Sequence, residues 1–163
     1  MSTGTIALRE VEDADLDILF DQMRDPEAVH MAAFTAKDPN DRAAFDAHMR
    51  KVRTLPENLV RAVTLDKEFV GTVGSFIIDG ETEVTYWINR RYWGRGIATR
   101  ALELLLEIET TRPLHARAAS DNPGSLRVLA KVGFVQIGTE MAFANARGDE
   151  IEETILLLEG PSR

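Results

Sequence analysis

The residues from Glu83 to Thr111, EVTYWINRRYWGRGIATRALELLLEIETT, leave this chain few ways to fold. Val84, Tyr86 and Ile88 alternate with Thr85, Trp87 and Asn89 in a run dense in β-branched and aromatic residues, the pattern of a strand. Trp93-Gly94-Arg95-Gly96-Ile97-Ala98 interrupts that pattern with a glycine-rich turn. Beyond it, Ile97, Ala101, Leu104, Leu105 and Ile108 recur at the helical period, with Arg100, Glu103 and Glu107 between them. Strand, glycine turn and helix in this order suit a phosphate. The first N–H groups of a helix lack helical partners, the macrodipole adds positive potential there, and glycine keeps side chains out of the way. Arg95 is placed to add a charge-assisted contact. The same turn also serves a chain that needs only glycine's backbone freedom, so the turn alone leaves both uses open.

A second block lies downstream. Ser120-Asp121-Asn122-Pro123-Gly124-Ser125 leads into Leu126 to Lys131 and stops at Gly133-Phe134. Asn122 followed by Pro123 is an N-cap and first helical position, and Gly133 is a C-terminal glycine cap. Together the two blocks resemble the GNAT family, the Gcn5-related N-acetyltransferases. That family's pyrophosphate motif, Gln/Arg-x-x-Gly-x-Gly/Ala, falls here on Trp93 to Ala98, with Gly96 and Ala98 in the small-residue places. Trp93 stands where the motif usually has Gln or Arg, a departure shared with the branch similar to the RimJ/RimL ribosomal-protein acetyltransferases. Arg91-x-x-Gly94-x-Gly96 is a second register, and spacing from the strand favours the first.

The resemblance implies acetyl-CoA as cosubstrate. It implies contacts from Trp93, Gly94, Arg95, Gly96, Ile97, Ala98 and Thr99 around the pyrophosphate, and from Asn122 on the pantetheine or phosphate arm. Asn122 can serve that arm and cap its helix at once, because one amide has several hydrogen-bonding positions. Ile88, near the end of the central strand, is the candidate backbone donor to the oxyanion.

Acetyl transfer to an amine also needs a base, since a free amine is mostly ammonium near neutral pH. Glu83 is the first candidate, in a place where RimJ/RimL-like sequences often carry glutamate before a Tyr-Trp pair; the alternative is a solvated carboxylate at a hairpin end. As a base it needs burial to raise its pKa toward the working pH. Many GNAT enzymes protonate the leaving thiolate with a tyrosine four residues before the Gly-Phe pair, and that place is Leu129 here. Ser125 matches a serine of the RimL-like branch and is the candidate hydrogen-bond donor to the thiolate; its other reading is an ordinary first-turn residue.

The remaining chain completes an α/β (α+β) domain over residues 1–163. Thr5 to Arg9 reads as a strand. A helix capped by Asp13 carries Leu16, Leu19, Phe20 and Met23, and Pro26 ends it. Ala28 to Lys37 reads as an apolar loop, and a second helix after Asp38-Pro39-Asn40-Asp41 carries Phe45, Met49 and Val52. Leu59 to Leu65, Phe69 to Ile78 and Glu83 to Asn89 form an antiparallel meander turning at Asp66-Lys67-Glu68 and Asp79-Gly80. Pro113 to Ala118 is a strand reached by crossover, hence parallel to the Glu83 strand. Pro123 to Lys131 is helical, and Phe134 to Phe143 pairs with Ile151 to Leu158. The order is β-α-α-β-β-β-α-β-α-β-β, a mixed sheet of about six to seven strands with four helices. It is the GNAT order, and the resemblance implies that the early helices wall the acceptor site.

Composition narrows the alternatives. A formal net charge of −8 argues against a nucleic-acid surface and suits a cationic amine acceptor, a peptide N-terminus or a small molecule. No cysteine is present, so a cysteine acyl-enzyme is excluded and direct transfer is the default. His30, His48 and His115 have no paired ligand spacing, and no metal is expected. No apolar run approaches the roughly 20 residues of a membrane span, and Met1 to Thr5 does not start a signal peptide; a cytoplasmic protein is expected, with homodimerisation frequent in the family. A sensor that binds acetyl-CoA without catalysis is the rival reading.

Overall fold

The computed structural model describes residues 4–160, so Met1 to Thr3, read above for a leader segment, lie outside the described residues. Seven strands form one sheet in the order β1-β2-β3-β4-β5-β7-β6. These are β1 (Ile6–Arg9), β2 (Leu59–Leu65), β3 (Glu68–Ile78), β4 (Glu81–Ile88), β5 (Leu114–Ala119), β6 (Val135–Ala144) and β7 (Asp149–Leu158). Every pairing is antiparallel except β4 with β5. The parallel pair follows from the crossover through α4 (Ile97–Ile108), as expected of a strand–helix–strand unit. Both meander turns have positive φ at their two central residues, Asp66 and Lys67 (50° and 75°) and Asp79 and Gly80 (52° and 80°), whose twist matches that of the flanking strands.

The N-terminal part departs from the sequence-based expectation. Pro26 does not end a helix; it begins one. α1 (Asp13–Gln22) stops earlier, and α2 (Pro26–Ala32) occupies the start of the segment expected as a loop. The Asp25 side chain accepts from the Ala28 N–H, and Pro26 takes the first helical position, where its missing donor costs nothing. The helices therefore number five among the described residues, with α3 (Arg42–Thr54) and α5 (Pro123–Lys131), rather than four. Asp13 is the first residue of α1 and not its cap. Glu12 caps it, with Asp15 completing a capping box.

The main core lies where α4 and α5 meet the sheet. Ile97, Ala101, Leu102 and Leu105 of α4 and Leu129 of α5 pack on Val63, Val70, Val73, Val84, Ile88, Leu114, Ala116 and Leu156. Leu102, Leu105 and Leu114 have no exposed surface, and burying each contributes about 1.5–3 kcal/mol. Gly71 of β3 lies so close to β4 that a Cβ there would sit 1.9 Å from the Trp87 carbonyl oxygen, which is backbone and unable to give way. Gly71→Ala should therefore destabilise the domain by about 3 kcal/mol or more, since overpacking a rigid site reaches that scale. Chemical denaturation checks it, and a midpoint equal to wild type would contradict this account of the β3–β4 contact.

Candidate active site

β4 and β5 pair at one register position, Glu83 opposite His115. Beyond it β4 continues along β3 as far as Ile88, while β5 continues along β7 as far as Ala119. The two parallel strands thus diverge after Glu83 and His115 and leave a wedge between Thr85–Ile88 and Ala116–Ala119. Backbone groups alternate sides along a strand. The Asn89 N–H goes to the Val70 carbonyl of β3, so the N–H groups of Ile88 and Tyr86 face the opposite way, into the wedge. The Ile88 N–H, the candidate oxyanion donor, is among the groups that face the wedge. The Ile88 carbonyl is occupied, accepting from the Trp93 indole N–H at 2.8 Å.

The strand leads through a 3₁₀ turn at Arg90–Tyr92 into the glycine turn. Gly94 and Gly96 both have positive φ, 77° and 79°, and a Cβ on either would meet nothing within 4 Å. Gly96 is the N-cap of α4 and offers no side-chain cap, so the first-turn N–H groups of Ile97, Ala98 and Thr99 open onto this space. Residues 90–100 contain four arginines and no acid, in a chain of net charge −8. Arg90 is held by Asp25, Nε to Oδ2 at 2.6 Å and Nη2 to Oδ1 at 3.1 Å, which ties the end of β4 to the start of α2. The guanidinium groups of Arg91 and Arg95 lie 5.3 and 5.4 Å from the Tyr92 ring centroid. Arg100 pairs with Glu103 at 3.2 Å, which leaves Arg91 and Arg95 as the cations of the turn; donor-rich and open at both glycines, it fits a pyrophosphate. Trp93 serves it as a brace through its bond to Ile88.

The N-terminus of α5 closes the other side. Asn122 caps it, accepting from the Ser125 N–H at 3.2 Å, and its Nδ2 donates to the Met31 carbonyl at 3.4 Å. One hydrogen of that amide stays available for a ligand. The Tyr86 hydroxyl, 3.0 Å from Ser125 Oγ, joins β4 to α5 across the wedge. Burial raises the Tyr86 pKa, against the opposing effect of this bond. Leu129 is buried in the core, so no hydroxyl comes from that position. The sequence reading missed Tyr86. Its signal was a hydroxyl on the apolar face of β4, in step with Val84 and Ile88, where a buried O–H needs a partner.

Glu83 lies at the closed end of the wedge, where β4 and β5 part, on the sheet face opposite Tyr86, with its side chain largely buried. Burial pushes its carboxyl above the ordinary glutamate value, Arg117 and His115 pull it back, and Glu81 and Asp79 add to the rise. Arg117 Nε lies 3.6 Å from Glu83 Oε1. The histidines do not converge: His30 and His48 are exposed on α2 and α3, and His115 Nε2 lies 3.6 Å from Glu81. Among the described residues no group of three or more His, Asp or Glu could hold a metal, and no helix is long and apolar enough to cross a membrane. Phe34 packs against the buried Ala33, Ala119 and Ala144 and is a packing residue.

A splayed parallel pair with a donor-rich glycine turn at its open end and a largely buried carboxylate where the strands part is an arrangement that a phosphate-bearing thioester would fit. Residues 5–135 match the acetyltransferase (GNAT) domain, and the chain belongs to that family of N-acetyltransferases. It is 26% identical over 160 residues to an uncharacterized N-acetyltransferase, p20, of Bacillus licheniformis, covering 92% of this chain and 90% of that one. Among solved structures it is similar to RimL, a ribosomal L7/L12 α-N-protein acetyltransferase in complex with coenzyme A, with TM-score 0.79, 17% identity, and 97% and 95% of the two chains covered. It is also similar to Mycobacterium smegmatis RimJ in complex with a CoA disulfide, with TM-score 0.80, 22% identity, and 96% and 83% covered. At these identities the structural likeness is one of fold.

Proposed function

We propose that this chain is an acetyl-CoA-dependent N-acetyltransferase of the RimJ/RimL-like branch that acts on a primary amine by direct transfer in a ternary complex. The observation that carries this reading is the opening of β4 from β5 immediately after Glu83, with the glycine turn at one end and Tyr86 and Ser125 reaching across it. The solved complexes of RimL and RimJ with CoA species support the choice of ligand, and Trp93 at the head of the turn supports the branch.

Acetyl-CoA supplies an activated acetyl thioester. The first-turn N–H groups from Ile97 to Thr99, with Arg91 and Arg95, hold its pyrophosphate. The backbone N–H groups of Tyr86 and Ile88, which face the wedge, line the slot for its arm, and the Ile88 N–H stabilises negative charge developing on the acetyl oxygen. Glu83 takes a proton from the acceptor ammonium, directly or through water. The Tyr86–Ser125 pair then stands within the cleft to donate a hydrogen bond to the departing thiolate, a moderate leaving group that needs little acid help. The face carrying Glu81, Glu83, Glu140 and Glu153 holds few cations in return, and this acidity suits an amine that arrives protonated.

Release of CoA measured against a panel of N-terminal peptides and small primary amines tests the proposal. Turnover with one acceptor class is expected. Binding of acetyl-CoA without release from any member would favour a sensor over an enzyme.

A further inference from the structure

Four strands of the sheet send charged side chains to one point. Arg117 lies on β5 two residues past the paired His115, on the same sheet face as Glu83. Its Nη1 is bonded to Glu140 of β6 and lies 3.4 Å from Glu153 Oε1 of β7, while its Nε lies 3.6 Å from Glu83 Oε1 of β4. Glu140 and Glu153 stand directly opposite each other in register, a like-charge pair that is unfavourable without a cation between them. That arrangement pins the guanidinium from the C-terminal hairpin side. Glu83 is held differently: its ion pair is the longest of the three and forms no hydrogen bond, so its oxygens keep free lone pairs. A base needs that balance, because a bidentate arginine would fix the carboxylate but occupy the lone pairs that must accept a proton.

We propose that Arg117 is a positioning residue for the transfer: tethered by Glu140 and Glu153, it holds the Glu83 carboxylate at the point where β4 and β5 part, with a lone pair left for the acceptor's proton. The proposal rests on Glu83 being the base and adds the device that keeps it in place. The charged groups around Glu83 are Glu81 on its own strand, Asp79 in the preceding turn, His115 and Arg117 on β5, Glu153 on β7 and Glu140 on β6. Without Arg117 the carboxyl would face four acids and one histidine.

Carboxyl-carbon NMR titration of the free protein, with the Glu83 signal identified by its loss in Glu83→Gln, tests this without an acceptor. Arg117→Gln, which can still hydrogen-bond Glu140, should raise the Glu83 midpoint by about one pH unit or more, the scale of removing a close opposite charge. Arg117→Met should do the same, and Arg117→Lys should restore most of the wild-type midpoint. An unmoved midpoint in a folded Arg117→Gln protein overturns the proposal. Failure of the base assignment shows elsewhere, as unchanged CoA release in Glu83→Gln, so the two are separable.

Discussion

Gly96→Leu should bind acetyl-CoA at least about a hundredfold more weakly than wild type while keeping its secondary structure. Gly96 sits at φ 79° at the head of α4, and the space its Cβ would enter is empty of protein atoms. A Cβ there meets no protein atom within 4 Å, and a side chain at this φ strains the backbone by about 1–2 kcal/mol, a few degrees in melting temperature for a domain of this size. The space it fills is the one a pyrophosphate needs to reach the N–H groups of Ile97, Ala98 and Thr99. Losing two charge-assisted hydrogen bonds at about 1.5 kcal/mol or more each already corresponds to roughly a hundredfold in affinity. Gly80→Leu is the control: it has the same φ and the same open surroundings, in the β3–β4 turn, and should leave binding unchanged. Calorimetric titration of the two variants decides the matter, and wild-type affinity in Gly96→Leu would remove the pyrophosphate from this turn.

Glu83→Gln is expected to lower turnover by about 10²–10³, within the range general-base catalysis contributes, with acetyl-CoA affinity unchanged. The substitution keeps shape and removes the proton acceptor. In wild type, activity should rise with pH through a pKa above the ordinary glutamate value, because burial outweighs the pull of Arg117 and His115. That limb should vanish in the variant. The sign for stability is opposite. A carboxyl whose folded pKa is raised holds its proton more tightly folded than unfolded, so stability falls as pH rises from the unfolded value through the folded one. At neutral pH Glu83 is therefore a stability cost, and Glu83→Gln should melt no lower than wild type. A lower rate cannot then be assigned to unfolding. An unchanged rate would make Glu83 a structural carboxylate.

Much of this was legible in the chain because local chemistry agreed with the fold. Asn122-Pro123 and Gly133 bound α5 at Pro123–Lys131 as expected, and the strand-turn-helix block gave the parallel crossover. α2 was missed although Asp25-Pro26 carries the same cap-and-proline signature as Asn122-Pro123. Its seven residues are too few to show a helical period, and the apolar run that follows looked like loop. The partnership of Tyr86 with Ser125 spans 39 residues, and that of Glu83 with Arg117 depends on the register of two parallel strands. Neither leaves a trace in spacing along the chain. Such sites assemble from non-local pairings that only the folded sheet specifies.

The central claim is that the wedge and its glycine turn hold a CoA thioester for transfer. Calorimetric titration of the wild-type protein with acetyl-CoA tests it most directly. The account predicts saturable binding of one acetyl-CoA per chain, weakened by added CoA; no heat of binding at millimolar acetyl-CoA would contradict it.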